Sequence, residues 1–180
     1  AEKYPDAKFT AFGGLCLNRP VGGLNPDAVE TSLKLGAKVI WLPTNTAENH
    51  YRKNGKDPSK GVVVTRDGKA VDELQDIFAL VKQYNAVLAT GHIGAEECFP
   101  VVEAARAAGV KKIVITHPEF WVVGMTPEQQ ADIVRKYDVL LESVYAQPVN
   151  GSYKINIPDN IAAMKAIGPE HFVLSTDSGQ

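Results

Sequence analysis

The sequence predicts an α/β fold built on parallel strands, and three observations carry that prediction. Short apolar runs of strand length alternate with amphipathic runs of helix length. The strand runs are apolar on both faces, as strands are when helices cover both sides of a sheet. Helix punctuation falls between them: Pro26-Asp27, Pro127-Glu128 and Pro158-Asp159 open helical runs, and Gly36, Gly109 and Gly168 close them. A right-handed succession of such units makes either an open doubly wound sheet or a barrel. No GxGxxG or GxxxxGK[ST] loop occurs, so the usual nucleotide-binding forms of the open sheet lose support.

The elements follow in order. Phe9 to Leu17 reads as a strand. Asn25-Pro26-Asp27 starts a helix over Ala28 to Leu35, and Lys38 to Leu42 is a buried strand closed by Pro43. Asn45 to Lys60 is polar and reads as an exposed loop. Val62 to Val71 follows, with a hairpin signal at Arg66-Asp67-Gly68. Together these make an insertion at about 45–71 over one end of the domain. Asp72 to Tyr84 is amphipathic, with Leu74, Ile77, Phe78 and Val81 on one side. The rhythm then becomes regular: strand 86–90, helix 95–108, strand 112–116, helix from Thr126 to about Tyr137, strand 139–145, helix from Ile157 to Ile167, strand 172–176. That gives six principal strands in a single domain over residues 1–180.

Composition narrows the function. A net charge of −2 with scattered Lys and Arg argues against nucleic-acid or anionic-membrane binding, which needs clustered basic residues. No apolar run reaches the roughly 18 residues needed to cross a bilayer. The start, AEKYPDAKF, lacks the basic and apolar stretches of a signal peptide. Cys16 and Cys98 are far apart in apolar surroundings and form no CxxC pair; they read as buried, reduced thiols of a cytoplasmic protein. The expected partner is a small-molecule substrate, and a homo-oligomer is compatible with these features.

Parallel α/β folds collect functional residues at the C-terminal ends of their strands. The run AVLAT leads into Gly91-His92, KIVIT into His117-Pro118-Glu119, and FVLST into Asp177-Ser178-Gly179. Two imidazoles and a carboxylate therefore share one rim. Both types are good ligands for zinc and related ions. Singly, each has a plainer role: a hydrogen-bonded structural histidine, or an Asp capping a helix. Asp177 is the candidate general base.

These strand ends, TGH at 90–92, THPE at 116–119 and STDSG at 175–179, resemble the fifth, sixth and eighth strands of the amidohydrolase superfamily. Longer stretches, at 12–30, 37–44 and 89–97, resemble amidohydrolase-like or phosphotriesterase-like metal-dependent hydrolases. The resemblance implies a distorted (β/α)8, TIM-like barrel carrying one or two divalent metal ions, zinc foremost. It implies that His92, His117 and Asp177 are metal ligands, with Asp177 also the proton shuttle. The six strands then correspond to the third through the eighth. Two departures stand out. The HxH pair of the first strand does not occur, and the chain is short for a barrel of about 250 residues. The expectation is an incomplete barrel, a fragment that need not be active by itself. The strand before Pro43-Thr44 supplies no Lys, Glu or Cys to bridge two ions, which favours a single-metal site or a bridge from a segment outside this sequence.

The rim offers further candidates. Asn18 and Arg19 follow the first strand, and Arg19 could clamp a carboxylate or phosphate, or simply pair on the surface. Glu119 could orient His117 or reach substrate. His50, in the insertion, could contact substrate. Glu142 lies within a strand and could point inward; Trp121 and Tyr145 could line a pocket. His171 reads as structural. The expected activity is hydrolysis of an amide, ester, lactone or phosphoester by activated water. The alternatives are a metal-dependent decarboxylase and a metal-free barrel that binds a small molecule or serves as an assembly subunit.

Overall fold

A computed structural model describes residues 8, 10–149, 152–155 and 157–177. The expected first strand residue, Phe9, and Ser178-Gly179 of the last motif lie outside the described residues.

The chain runs β1 (Gly14–Cys16), α1 (Pro26–Lys34), β2 (Val39–Trp41), α2 (Glu48–Lys53), the hairpin β3 (Thr65–Arg66) and β4 (Lys69–Ala70), then α3 (Leu74–Gln83) and β5 (Val87–Ala89). It continues through α4 (Ala95–Ala107), β6 (Lys112–Ile115), α5 (Pro127–Tyr137), β7 (Leu140–Val144), β8 (Ala146–Val149), β9 (Ser152–Ile155), α6 (Ile157–Ile167) and β10 (Phe172–Ser175). Six strands form one parallel sheet in the order β1-β2-β5-β6-β7-β10. The fold is therefore α/β, as the alternation indicated. The order rises steadily along the chain and never reverses, as in a TIM-like barrel and unlike a doubly wound sheet. No closed barrel forms among the described residues: β1 and β10 are the two edges.

The helices cover the outer face of the sheet. Ile40, Leu88, Ile113, Ile115 and Leu141 are buried against Val29, Leu33, Ile77, Phe78, Val101 and Val102. Local chemistry explains the boundaries. The Asn25 side chain accepts from the N–H groups of Asp27 and Ala28 at 3.1 and 3.3 Å, capping α1. Thr126 accepts from Gln129 N at 3.2 Å while the Gln129 side chain accepts from Thr126 N at 2.9 Å, a reciprocal cap on α5.

Two elements differ from expectation. The polar stretch 45–60 is not all loop, because it contains α2. That helix is short and lacks an apolar stripe, so it stands on tertiary bonds instead. Glu48 N donates to Val62 O at 3.0 Å, and Asn49 is buried with its amide spent on the domain. The antiparallel hairpin β8–β9 lies between β7 and α6, a stretch with no element in the expected order. The hairpin at 65–70 forms as expected and docks on α4 through Thr65, whose hydroxyl donates to Glu97 at 3.0 Å.

Candidate functional site

One cavity of about 240 Å3 opens at the C-terminal ends of the strands, lined by Cys16, Trp41, Thr44, Asn45, His92, Thr116, His117, Glu142 and Asp177. Its lining comes from the first edge strand, β1, and from the residues just past the last, β10. A flat sheet would hold those edges about 24 Å apart, five spacings of about 4.8 Å. A cavity this small cannot span such a distance, so the sheet curls, and the inner face of the curl is the site.

The strand ends are tied in place by backbone and hydroxyl groups. Gly91 N donates to Thr116 Oγ1 at 2.9 Å, and Thr116 N donates to Thr90 Oγ1 at 3.0 Å. The two threonines that end AVLAT and KIVIT thus clasp one another's strands. Gly91 has φ +64°, and a Cβ there would lie 2.4 Å from the Leu42 carbonyl oxygen, so only glycine lets this turn pass. His92 N then donates to Pro43 O at 3.0 Å. His117 (φ 24°) and Asp177 (φ 49°) both leave their strands with left-handed backbone, a conformation that residues with a Cβ seldom adopt and that clusters at functional sites.

His92 and His117 stand with ring centroids 5.1 Å apart. His117 is buried and packs on Phe120 at 4.4 Å. Its Nδ1 has no hydrogen-bond partner among the described residues. Burial holds the His117 pKa below the ordinary value, against the opposing charges of Glu142 and Asp177. Burial, with the neighbouring His117 and His50, pushes that of His92 down to about 3. Both rings are therefore neutral and carry a free lone pair near pH 7. Glu142 on β7 accepts from Ser175 Oγ at 2.8 Å, which fixes a carboxylate beside His117.

The structure brings His92, His117 and Asp177 to one cavity, and it adds Glu142. His50 lies behind His92, with its Nδ1 2.7 Å from His92 Nδ1. The other rim candidates lie elsewhere. Asn18 accepts from Thr44 N and Thr46 N at 3.0 and 3.1 Å and donates to Thr44 Oγ1 at 2.7 Å, so it braces the loop after β2. Arg19 is exposed and lines a separate surface hollow with Gly22, Val62 and Glu73. Glu119 lines a third cavity, between α5 and α6. Trp121 tilts against His50 and Phe120, and Tyr145 borders an apolar hollow beside α6. His171 sits at the N-terminal end of β10, 3.9 Å from Glu170, in keeping with a structural role.

Cys16 was expected to be buried. It is half-buried instead and faces the cavity, because strand alternation turns it inward; Cys98 is fully buried. Trp41 is a further lining residue, and the same alternation points to it. Ile40 and Leu42 face the core, so Trp41 between them must face inward. Its ring lies over Gly14, where a Cβ would come within 2.4 Å.

The donors suit a divalent ion in kind: two neutral imidazoles, one of them with an orphaned buried nitrogen, and two carboxylates on one cavity. Among the described residues, however, no three His, Cys, Asp or Glu side chains stand in a ligating arrangement. It is a donor-lined cavity and not a finished cage. A family described as "Family of unknown function (DUF6282)" matches residues 1–142. The chain belongs to that family. The matched part of this DUF6282 member includes His50, His92, His117 and Glu142 and stops before Ser175 and Asp177. No curated protein matches the chain. No helix among the described residues is long and apolar enough to cross a membrane.

Proposed function

We propose that the cavity is the site of a metal-dependent hydrolase acting on a small amide, ester, lactone or phosphoester. The supporting observation is the convergence of His92, His117 and Asp177 on one cavity at the C-terminal ends of parallel strands, with the buried Nδ1 of His117 left unpartnered. The resemblance of the three strand ends to amidohydrolases points the same way. In this reading His92, His117 and Asp177 hold one divalent ion, zinc foremost. Bound there, such an ion would supply a more acidic water and an electrophilic partner for the carbonyl or phosphoryl oxygen of the substrate. A carboxylate oxygen of Asp177 accepts the proton that the attacking water gives up, and returns it to the leaving group. Glu142, held by Ser175, keeps negative charge beside His117. Trp41 and Thr44 form the apolar and polar walls against which a substrate of modest size rests.

Asp177→Asn keeps the shape and an oxygen ligand but removes the basic carboxylate. Turnover of a substrate found by screening those four classes should fall by about 100-fold or more. Metal content should fall far less. Near-normal turnover by the metal-loaded Asn variant would overturn the assignment. A second reading rests on the lack of a three-ligand arrangement among the described residues: a pocket that binds a small molecule without a metal. Metal analysis by calorimetry separates the two, and release of carbon dioxide in place of protons would mark a decarboxylase.

A further inference from the structure

His92 is gripped from three sides. Its N–H is held by Pro43 O, its carbonyl oxygen accepts from Asn49 Nδ2 at 3.0 Å, and its ring meets the ring of His50. Asn49 and His50 are consecutive residues of α2, so the inserted helix holds His92 by backbone and by side chain at once. The ring contact is a hydrogen bond and not a stack. The two Nδ1 atoms are 2.7 Å apart, closer than the about 3.5 Å at which stacked rings touch. The planes differ by 14° while the centroids are 4.9 Å apart, so the rings meet edge to edge in nearly one plane.

One of the two nitrogens must carry the shared proton, and the surroundings say which. His50 is half-exposed, so an N–H on its far nitrogen, Nε2, can be satisfied by water. His92 is more deeply buried, and among the described residues its ring makes no hydrogen bond except the one to His50. His92 is the less exposed of the two rings, so a proton on its far nitrogen would be the harder one to hydrate, which favours the lone pair there.

We infer that His50 is a positioning residue for His92: its Nδ1 accepts a hydrogen bond from His92 Nδ1–H and so holds His92 in the tautomer whose Nε2 carries the lone pair. The far nitrogen is thereby kept as a donor toward a ligand of electron-pair-accepting character, as a second hydrogen bond does for metal-binding histidines generally. That consequence rests on the hydrolase reading; the tautomer does not.

The test is a long-range 1H–15N correlation spectrum of the imidazoles of the full chain, stripped of metal with a chelator, at about pH 8, where histidines are neutral. His92 should show a protonated Nδ1 and a lone-pair Nε2, and His50 the reverse. In His50→Phe, which removes the acceptor, His92 should shift to a mixture dominated by Nε2–H. In His50→Asn the amide oxygen stands near the place of Nδ1, and the original pattern should return. Zinc affinity, measured by calorimetry on the same proteins, should drop about 10-fold or more in His50→Phe and recover in His50→Asn. A proton on His92 Nε2 in the unsubstituted protein overturns the inference, and so does a pattern unmoved by His50→Phe. If His50→Phe fails to fold, the unsubstituted spectrum and His50→Asn still decide it. The expected tautomer without any zinc binding leaves the positioning role standing and sinks the hydrolase reading.

Discussion

His50, His92 and His117 all have pKa values held below the ordinary histidine value, and burial is the largest cause in each. The unfolded chain has no such burial, so its histidines take up protons near pH 6.5 while the folded site refuses them. Stability is therefore complete above about pH 6.5 and falls as the pH drops toward the folded value of His92, about 3. Carboxylates begin to contribute only near pH 4.3, so the histidine share is read above that. The urea midpoint should fall between pH 7 and pH 5, and His92→Asn should flatten that slope. Equal slopes in the two proteins would show that the ring is not buried neutral. At this scale much of the site was legible. His92, His117 and Asp177 each stand one or two residues past an apolar strand, and a strand end is a location that sequence reveals. Glu142 was half legible, because a carboxylate inside an apolar strand needs a reason to be there. Asn49 was not legible at all. Its role depends on where a polar segment folds back, and nothing in the residues around it encodes that.

α2 shows why an element can escape a reading based on periodicity. Its six residues have no apolar stripe, and a helix this short is unstable alone. It is held by Asn49, whose amide donates to His92 O and to Val122 O at 3.0 and 2.7 Å. It is also held by Gly61, where a Cβ would meet the Glu48 backbone at 2.4 Å. Removing the Asn49 amide leaves two carbonyls without their donor and opens a small void. Asn49→Ala should therefore cost about 2–4 kcal/mol in urea unfolding. Amide hydrogens over 48–53 should exchange faster while those of β5 and β6 keep their protection. A loss below about 0.5 kcal/mol would mean that α2 is fastened elsewhere. The regular units from β5 onward were legible because each strand and helix there has its own period and its own stop. Their strands are shorter than the apolar runs that announced them: AVLAT supplies only Val87–Ala89 to the ladder, and its Thr90 goes to the clasp with Thr116.

For the whole molecule, the order of strands was legible and the curl was not. Alternating units imply parallel neighbours in sequence order, but which inner-face residues meet depends on curvature, a property no local run carries. The curl matters because it turns residues from β1, β2, β7 and the ends of β5, β6 and β10 toward a single point. An ion bound there would tie together strands that the sheet alone leaves at opposite edges, and it would bind the folded state far better than the unfolded one. The stabilisation by a bound ligand is RT ln(1 + [L]/Kd), about 2.7 kcal/mol at a concentration 100-fold above Kd. For a chain of 180 residues that corresponds to a rise of roughly 5–10 °C in the melting temperature. The shift should grow with zinc concentration along that logarithmic curve, so even a weak site reveals itself in a titration. His117→Asn should move the onset of the curve to higher zinc concentration and Asp177→Asn should move it much less, each read against its own zinc-free melting temperature because His117→Asn also alters packing against Phe120. Magnesium should do less than zinc, since imidazole ligands favour the softer ion. Equal zinc-dependent shifts in the unsubstituted protein and in His117→Asn would place the ion elsewhere, on exposed groups such as Glu96 or Asp57. No shift at any concentration below that which precipitates the protein would leave the cavity as a metal-free pocket, with the orphaned His117 nitrogen serving a hydrogen-bonding ligand.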